Sequence, residues 1–555
     1  MADKNYKEQG LKLFKYITKE RKDVANIYFY AIFSGLVQLS LPLGIQAIVS
    51  YAMGATMVTS IYLLIALVVA GTWLVGFFRL KVMQIIEKIQ QKIFVEYSIA
   101  FAEKLPKLNL TKINKYFLPE LVNRFFDTQN LQKGISKILL EIPTAIIQII
   151  FGIILLSLYN PYFLIFGLIV LLGVFFIFRI TMEQGIASSL DESDRKYEVA
   201  SWLEDIASSV KTFKNDSTTK MHLHETDHLV GKYLEDRTSH FKVLYFQYKT
   251  IVFFKVVIIL TMLAIATYLL INQQLNIGAF IATEIVVIMI MSAVEILIKN
   301  LESYYDMITA MVKLSKVLDL QEESTGEMTL KDTDQGFEIE FKNVSVSIND
   351  SMPILEDVNF KILQNSITAI SGNLGTGKSI LMNIFAGFYE PTAGKIFYDK
   401  TPFNNINKNI FRNQIGIFLE DVGIIKGNIF QNIQIGNPEI TPEDITKAAI
   451  ELGLDNFTEY FSNGYFTEIS ETDSQLSFSF RKMILLLRAV LGNTRLLLLE
   501  DPFEGFDETI KDKIWDYLQN KSLHKNIILA TKEERFIAKA DHHLFLAKGT
   551  VQSLK

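Results

Sequence analysis

The residues Ser371-Gly372-Asn373-Leu374-Gly375-Thr376-Gly377-Lys378-Ser379 have the types and spacing to hold a polyphosphate. They fit G-x-x-x-x-G-K-[ST] through Gly372, Gly377, Lys378 and Ser379. Glycines let successive backbone N–H groups converge on phosphate oxygens, Lys378 reaches the β- and γ-phosphates, and the Ser379 hydroxyl takes a Mg²⁺ position. The apolar run Ile367–Ile370 reads as a strand entering the loop. Leu381–Phe388 reads as a helix leaving it, whose N-terminal dipole adds to an anion site.

Two other groups could do chemistry. His224-Glu225-Thr226-Asp227-His228 fits H-E-x-x-H, which on a helix puts two imidazoles on one face with Glu as base. No third ligand follows at the metzincin spacing, where Leu234 stands, so the segment reads as a solvated helix face. Lys255 and Glu284 lie inside apolar runs, and an intramembrane charge marks a pathway by default. Lys255 reads as snorkelling to the inner face. Glu284 reads either as lining a substrate cavity or as bonding within the helix bundle, and the two are too far apart along the span to pair.

The elements that must position these residues fall into two halves. Half of the 555 residues are hydrophobic, concentrated in the first 300 positions, and mean hydropathy is +0.24. No charge occurs from Val24 to Phe78 or from Ile142 to Phe178, and a bilayer core needs about 20 apolar residues per helix. Six spans result, at about 25–50, 57–80, 138–158, 161–181, 250–271 and 276–298. Their short connections lack Lys and Arg, whereas Arg79–Lys133 carries ten, which puts both termini and both long loops in the cytoplasm. The long hydrophilic segments, about 79–138 and 180–247, keep apolar residues at three- and four-residue spacing and read as cytosolic helical extensions of the spans. Residues 1–320 form this membrane domain, 321–336 a polar linker, and 337–555 a mixed α/β domain of alternating strands and helices. A net charge of −5 leaves no nucleic-acid footprint, the absence of cysteine excludes thiolate metal sites, and residues 1–23 show no cleavable signal.

This organisation, six membrane helices with long cytosolic extensions followed by a C-terminal P-loop domain, resembles a half-transporter of the ATP-binding cassette (ABC) exporters over almost the whole chain. The membrane half has the general look of the bacterial polypeptide and toxin exporters, without the N-terminal accessory domain many of them carry. The resemblance implies ATP and Mg²⁺ as cofactors and assigns further positions. Leu496–Leu499 followed by Glu500-Asp501-Pro502 corresponds to the family's apolar strand ending in Asp-Glu-Pro, so Glu500 stands at the Mg²⁺-facing Asp and Asp501 at the water-polarising Glu. Asp501 is one methylene short, and a misplacement of about 1 Å can cost on the order of a hundredfold in rate. The signature LSGGQ appears as Leu476-Ser477-Phe478-Ser479-Phe480: Ser477 keeps its hydroxyl for a γ-phosphate presented by the opposite subunit, while Phe478 and Ser479 replace glycines. Glu420 stands where a Gln couples metal and γ-phosphate, Lys532 at the switch His, and Ile348 at the adenine-stacking aromatic. Glu471 of the exporter-specific loop and Asp507 of the subunit-facing loop are kept.

Taken together, the expectation is an ATP-binding subunit of a dimeric ABC exporter in the plasma membrane, with a degenerate nucleotide-binding domain that grips ATP but hydrolyses weakly or only with a partner. Because the family's sites are shared between two subunits, and this chain departs on both faces, the resemblance favours a heterodimer with a second half-transporter over a homodimer. A regulatory or gating subunit that moves nothing itself is the alternative. Lipid surrounds the spans, and the exported substrate is not legible.

Overall fold

The computed structural model describes residues 8, 10–12, 18–54, 59–113, 118–216, 218–331, 333–347, 353–435, 437–454, 461, 463–470 and 476–554. Ile348 and Glu471 lie outside them. Two compact units account for the chain: residues 1–106 with 117–320, and residues 107–116 with 321–555.

The first unit is all helix: α1 (Arg21–Gln38), α2 (Ser40–Met53), α3 (Thr59–Lys104), α4 (Asp127–Tyr159), α5 (Tyr162–Ser208), α6 (Met221–Ile271) and α7 (Ile277–Leu318). Six helical stretches, with α1 and α2 joined as one, are long and apolar enough to cross a membrane. The interruption at Leu39 precedes Pro42, which has no N–H to give and sits in the first turn of α2, where none is required. At about 1.5 Å per residue, the 47 residues of α5 and the 51 of α6 are each longer than the roughly 30 Å hydrocarbon core needs, so both project well beyond it. Apolar side chains such as Trp73 of α3 and Phe253 of α6 are exposed, the pattern of helices whose solvent is lipid. α4 and α7 pack along their length through small residues; a Cβ on Gly152 would stand 2.7 Å from Ile290 Cγ1.

Polar pairs fasten the extensions. Tyr197 donates to Asp127 Oδ2 at 2.6 Å, Gln247 Nε2 donates to Tyr305 Oη at 2.7 Å, and the buried Lys313 ammonium is paired with Asp194. Each satisfies a group that would otherwise be buried without a partner.

The second unit is a cassette built on two main sheets, beside a short antiparallel pair of Gly427–Asn428 with Glu468–Ile469. β1 (Ile339–Ser347), β2 (Pro353–Ile362), β4 (Ala393–Tyr398) and β5 (Thr401–Pro402) form an antiparallel sheet in the order β2-β1-β4-β5. β3 (Ile367–Gly372), β6 (Ile415–Phe418), β7 (Leu496–Glu500), β8 (Asn526–Ala530), β9 (His542–Ala547) and β10 (Thr550–Ser553) form the other, in the order β10-β9-β3-β8-β7-β6. β9, β3, β8, β7 and β6 are mutually parallel. Leu496–Leu499 and Ile527–Leu529 are buried on both faces, as continuous apolar runs in a parallel sheet require. The described residues of 321–336 are tied down: Arg412 grips Glu323 with two bonds of 2.5 and 2.6 Å, and Arg495 donates to the Lys331, Gln335 and Gly336 carbonyls. The loop segment 107–113 belongs with this unit, its Asn109 Nδ2 donating to Glu390 Oε2 at 3.3 Å and its Thr111 Oγ1 accepting from the Glu390 N–H at 2.9 Å.

Candidate functional site: the phosphate loop of the cassette

The parallel sheet brings three strand ends together. β3 leads into the loop, β7 delivers Glu500 and Asp501 beside it, and β8, lying between them, runs on to Lys532. Ligands of open parallel sheets bind at the carboxyl ends of the strands, and this is such an end.

Within the loop, Gly375 and Gly377 have φ of +77° and +96°, values that glycine, lacking a Cβ, adopts at little cost. α8 (Lys378–Phe385) starts directly behind Gly377. The Lys378 ammonium folds back over the loop, donating to the carbonyls of Gly372 at 2.8 Å and Asn373 at 3.0 Å. Burial first, and then the nearby charge of Lys532, hold that ammonium below its usual range. Leu374, at the loop's crest, is 93% exposed.

The Ser379 hydroxyl donates to Glu500 Oε1 at 2.5 Å, and the other Glu500 oxygen accepts from the Glu420 N–H at 3.2 Å. Glu500 thus bridges loop and β6 end, while the Glu420 carboxylate itself is exposed. Asp501 occupies the left-handed region with φ +45°, its N–H donating to Ala530 O at 2.8 Å. Its carboxylate has no hydrogen-bond partner among the described residues; burial raises its pKa, against the opposing pull of Lys532. The loop, Glu500, Asp501 and Lys532 are therefore assembled as one site.

Ser477 is not part of that assembly. It caps α9 (Phe478–Val490), its Oγ accepting from the Phe480 N–H at 3.3 Å. Phe478 stands 59% exposed, with the Lys482 ammonium 4.8 Å from its ring centre. Asp507 likewise caps α10 (Glu508–Lys521), accepting from the Ile510 N–H at 2.9 Å.

Two contributors escape sequence reasoning. Lys482 Nζ donates to Asp501 O at 3.2 Å, Glu504 O at 3.3 Å and Glu504 Oε2 at 2.8 Å, tying α9 to the strand end; its i+4 spacing from Phe478 is the one local signal. His543 on β9 lies 2.7 Å from Ser371 Oγ, and its ring is held below its usual pKa by burial. Nothing in the spacing of Ser371 and His543 announces that contact.

Elsewhere, His224 and His228 are exposed on α6, and among the described residues no cluster of His, Cys, Asp or Glu could hold a metal ion. Lys255 pairs with Glu295 at 3.4 Å, which also takes Lys299 at 2.8 Å. Glu284 Oε1 is buried without a partner among the described residues.

Comparison with known proteins fits this geometry. The ABC transporter transmembrane region family matches residues 24–294, and the ABC transporter family matches residues 355–504. The chain is 30% identical over 212 residues to an uncharacterized ABC transporter ATP-binding protein, YknV, of Bacillus subtilis, covering 38% of this chain and 35% of that protein. It is 28% identical over 214 residues to the β-(1→2)glucan export ATP-binding/permease protein NdvA of Agrobacterium vitis (39% and 37% covered). It is 27% identical over 289 residues to the leukotoxin export ATP-binding protein LtxB of Aggregatibacter actinomycetemcomitans (52% and 41% covered). The matches thus span well under two thirds of these relatives. A solved bacterial Atm1-family ABC exporter with ATP bound superposes with a TM-score of 0.86 at 17% identity, covering 96% of this chain and 94% of that one. The class is a membrane protein with a nucleotide-binding cassette in the exporter-type fold. The chain is an ABC transporter carrying both a transmembrane region and an ATP-binding domain.

Proposed function

We propose that this chain is one half of a dimeric ABC exporter that moves a substrate out across the plasma membrane by alternating access, holding ATP firmly while hydrolysing it weakly or only with a partner. One observation carries the reading: a well-formed phosphate loop stands beside a strand end whose aiming groups are altered. The loop fits a nucleotide triphosphate, with its turns open at Gly375 and Gly377 and its lysine poised over them. The hydroxyl of Ser379 and the carboxylate of Glu500 converge at 2.5 Å, two oxygen donors of the kind Mg²⁺ takes. When bound, that ion would neutralise phosphate charge.

Against this, Asp501 carries a short side chain from a backbone pinned by Ala530 and Lys482, so its carboxylate cannot advance to make up the missing methylene. Lys532 donates but cannot accept a hydrogen bond, and its ammonium cannot take up a further proton as an imidazole could. Phosphoryl transfer depends on positioning and electrostatics, and both are changed here. Ser477 and Phe478 face outward on α9, where the family's head-to-tail dimer would set them against the partner's nucleotide; Phe478 stands where a bare backbone would approach a phosphate. A partner chain with an intact loop, Glu and His is therefore favoured over a second copy.

The test is binding and transport together, with the full chain and its co-purifying partner reconstituted in vesicles. Labelled ATP should bind and Lys378→Ala should lose it by about tenfold or more, as expected for removing a charge-assisted contact. ATP-dependent accumulation of a cargo inside inverted vesicles supports export. ATP binding with no transport of any tested cargo by an otherwise intact dimer would favour a regulatory subunit.

A further inference from the structure

Asp501 and Lys532, the altered groups of the cassette, are held in different ways. Asp501 is pinned through its own backbone. Lys532 is exposed and has no hydrogen-bond or ion-pair partner among the described residues, although its charge is felt at Lys378 and Asp501. A lysine on a flexible four-carbon stem is aimed only as well as its backbone is fixed.

Both neighbours of Lys532 are fixed. Thr531 is buried; its N–H donates to Ile370 O at 3.2 Å, and its hydroxyl accepts from the Glu533 N–H at 3.2 Å. The Glu533 carboxylate is taken up by two cations: Lys511 Nζ of α10 stands 2.8 Å from its Oε1, and Arg535 Nε donates to its Oε2 at 3.4 Å. Those cations also bind α10 itself. Lys511 donates to Glu508 Oε1 at 3.0 Å, and Arg535 stands 2.8 Å from Glu508 Oε2 and 3.2 Å from Asp512 Oδ1. The Glu533 bond first, and then that of Glu508, hold the Lys511 ammonium above its usual range.

A lone exposed ion pair fixes little, but a network fixes more, and the Lys511 and Glu533 side chains at its centre are only 16% and 28% exposed. The network closes a ring. The chain leaves Asp501, passes Asp507 into α10, crosses from Lys511 to Glu533 and so reaches Lys532. Without Lys511, Glu533 would also put a poorly compensated negative charge one residue from a lysine that has to meet an anion.

We infer that Lys511 and Glu533 are positioning residues that hold Lys532 for the terminal phosphate of ATP, the group that ADP lacks. The inference rests on reading Gly372–Ser379 as an ATP site, and deepens it. Both residues act through Lys532, so their effect falls on the discrimination between ATP and ADP rather than on nucleotide binding at large.

The experiment is equilibrium binding of radiolabelled ATP and ADP, with Mg²⁺, to the full chain in nanodiscs. Wild type should prefer ATP. Lys532→Ala should weaken ATP about tenfold, the size of one charged hydrogen bond, and leave ADP within about twofold. Lys511→Met should reproduce most of that loss, about three- to tenfold for ATP alone, with the unchanged ADP affinity reporting a folded cassette. Lys511→Arg, which keeps a cation for Glu533, should keep the preference. Adding Lys511→Met to Lys532→Ala should weaken ATP no further, because groups that act through one another are not additive. The inference is overturned if Lys532→Ala leaves the preference intact, if Lys511→Met weakens both nucleotides alike or neither, if Lys511→Arg is as weak as Lys511→Met, or if the two losses add in full. Each of those outcomes leaves the ATP-site reading standing, whereas wild type that binds no ATP brings down that reading and this inference with it.

Discussion

On the proposed reading, Asp501 and Lys532 decide what the cassette does with a nucleotide. The methylene missing from Asp501 is not recovered by the backbone, because its N–H is spent on Ala530 and its carbonyl on Lys482. Restoring reach and proton-accepting capacity together, by Asp501→Glu with Lys532→His, should raise steady-state ATP turnover by on the order of a hundredfold, read as phosphate release. An unchanged rate would mean the defect lies elsewhere, with Phe478 the next suspect. A separate consequence concerns Lys525, buried beside Thr494 and held by burial at a pKa of about 8. Its ordinary value is 10.5, so the unfolded chain binds this proton more tightly than the folded one. The full penalty applies below pH 8 and fades as pH rises toward 10.5, so this group makes the cassette more stable with rising pH across that window. Lys525→Met should therefore stabilise the chain at pH 7 by on the order of 2 kcal/mol, with the gain shrinking as pH rises above 8, measured as the shift in thermal midpoint. The loop itself was legible because its chemistry is contiguous. Lys482 and His543 were not, since each reaches its partner through tertiary structure: α9 folding onto the end of β7, and β9 pairing with β3.

The helices explain why the membrane half was readable and where reading stopped. Uncharged runs and charge asymmetry mark spans without any knowledge of packing, and the long periodic segments continue as α3, α5 and α6 well past the apolar limits. Two things depend on neighbours instead. The break at Leu39 is set by Pro42 inside an otherwise uniform apolar run. The pairing of Lys255 with Glu295 follows from α6 meeting α7, whereas from the sequence Lys255 reads only as a snorkelling side chain. Close packing supplies a direct test. Gly152→Leu would drive a side chain into Ile290 and should destabilise the membrane unit by about 1–3 kcal/mol, lowering the thermal midpoint in detergent. Gly76→Leu, where a Cβ meets nothing within 4 Å, should be nearly silent, and equal effects would contradict the packing described.

Across the whole molecule, the proposed reading has the phosphate loop of one subunit completed by the signature segment of another. Leu374 crests the loop and Phe478 opens α9, both exposed. The chain has no cysteine, which makes engineered cross-links unambiguous. With Leu374→Cys and Phe478→Cys introduced together and the chain expressed in its native membrane, oxidation should give little covalent self-dimer, because the favoured partner is a different chain. A strong band at twice the chain's mass would establish pairing with a second copy.

The most direct measurement is a single-turnover chase of γ-labelled ATP on the purified, nucleotide-saturated chain, with bound nucleotide and released phosphate followed in the same samples. The account predicts that ATP stays bound and intact for many minutes, far below the roughly 10 s⁻¹ of an ordinary enzyme. Prompt phosphate release near that rate, abolished by Lys378→Ala, or no retained nucleotide at all, would contradict it.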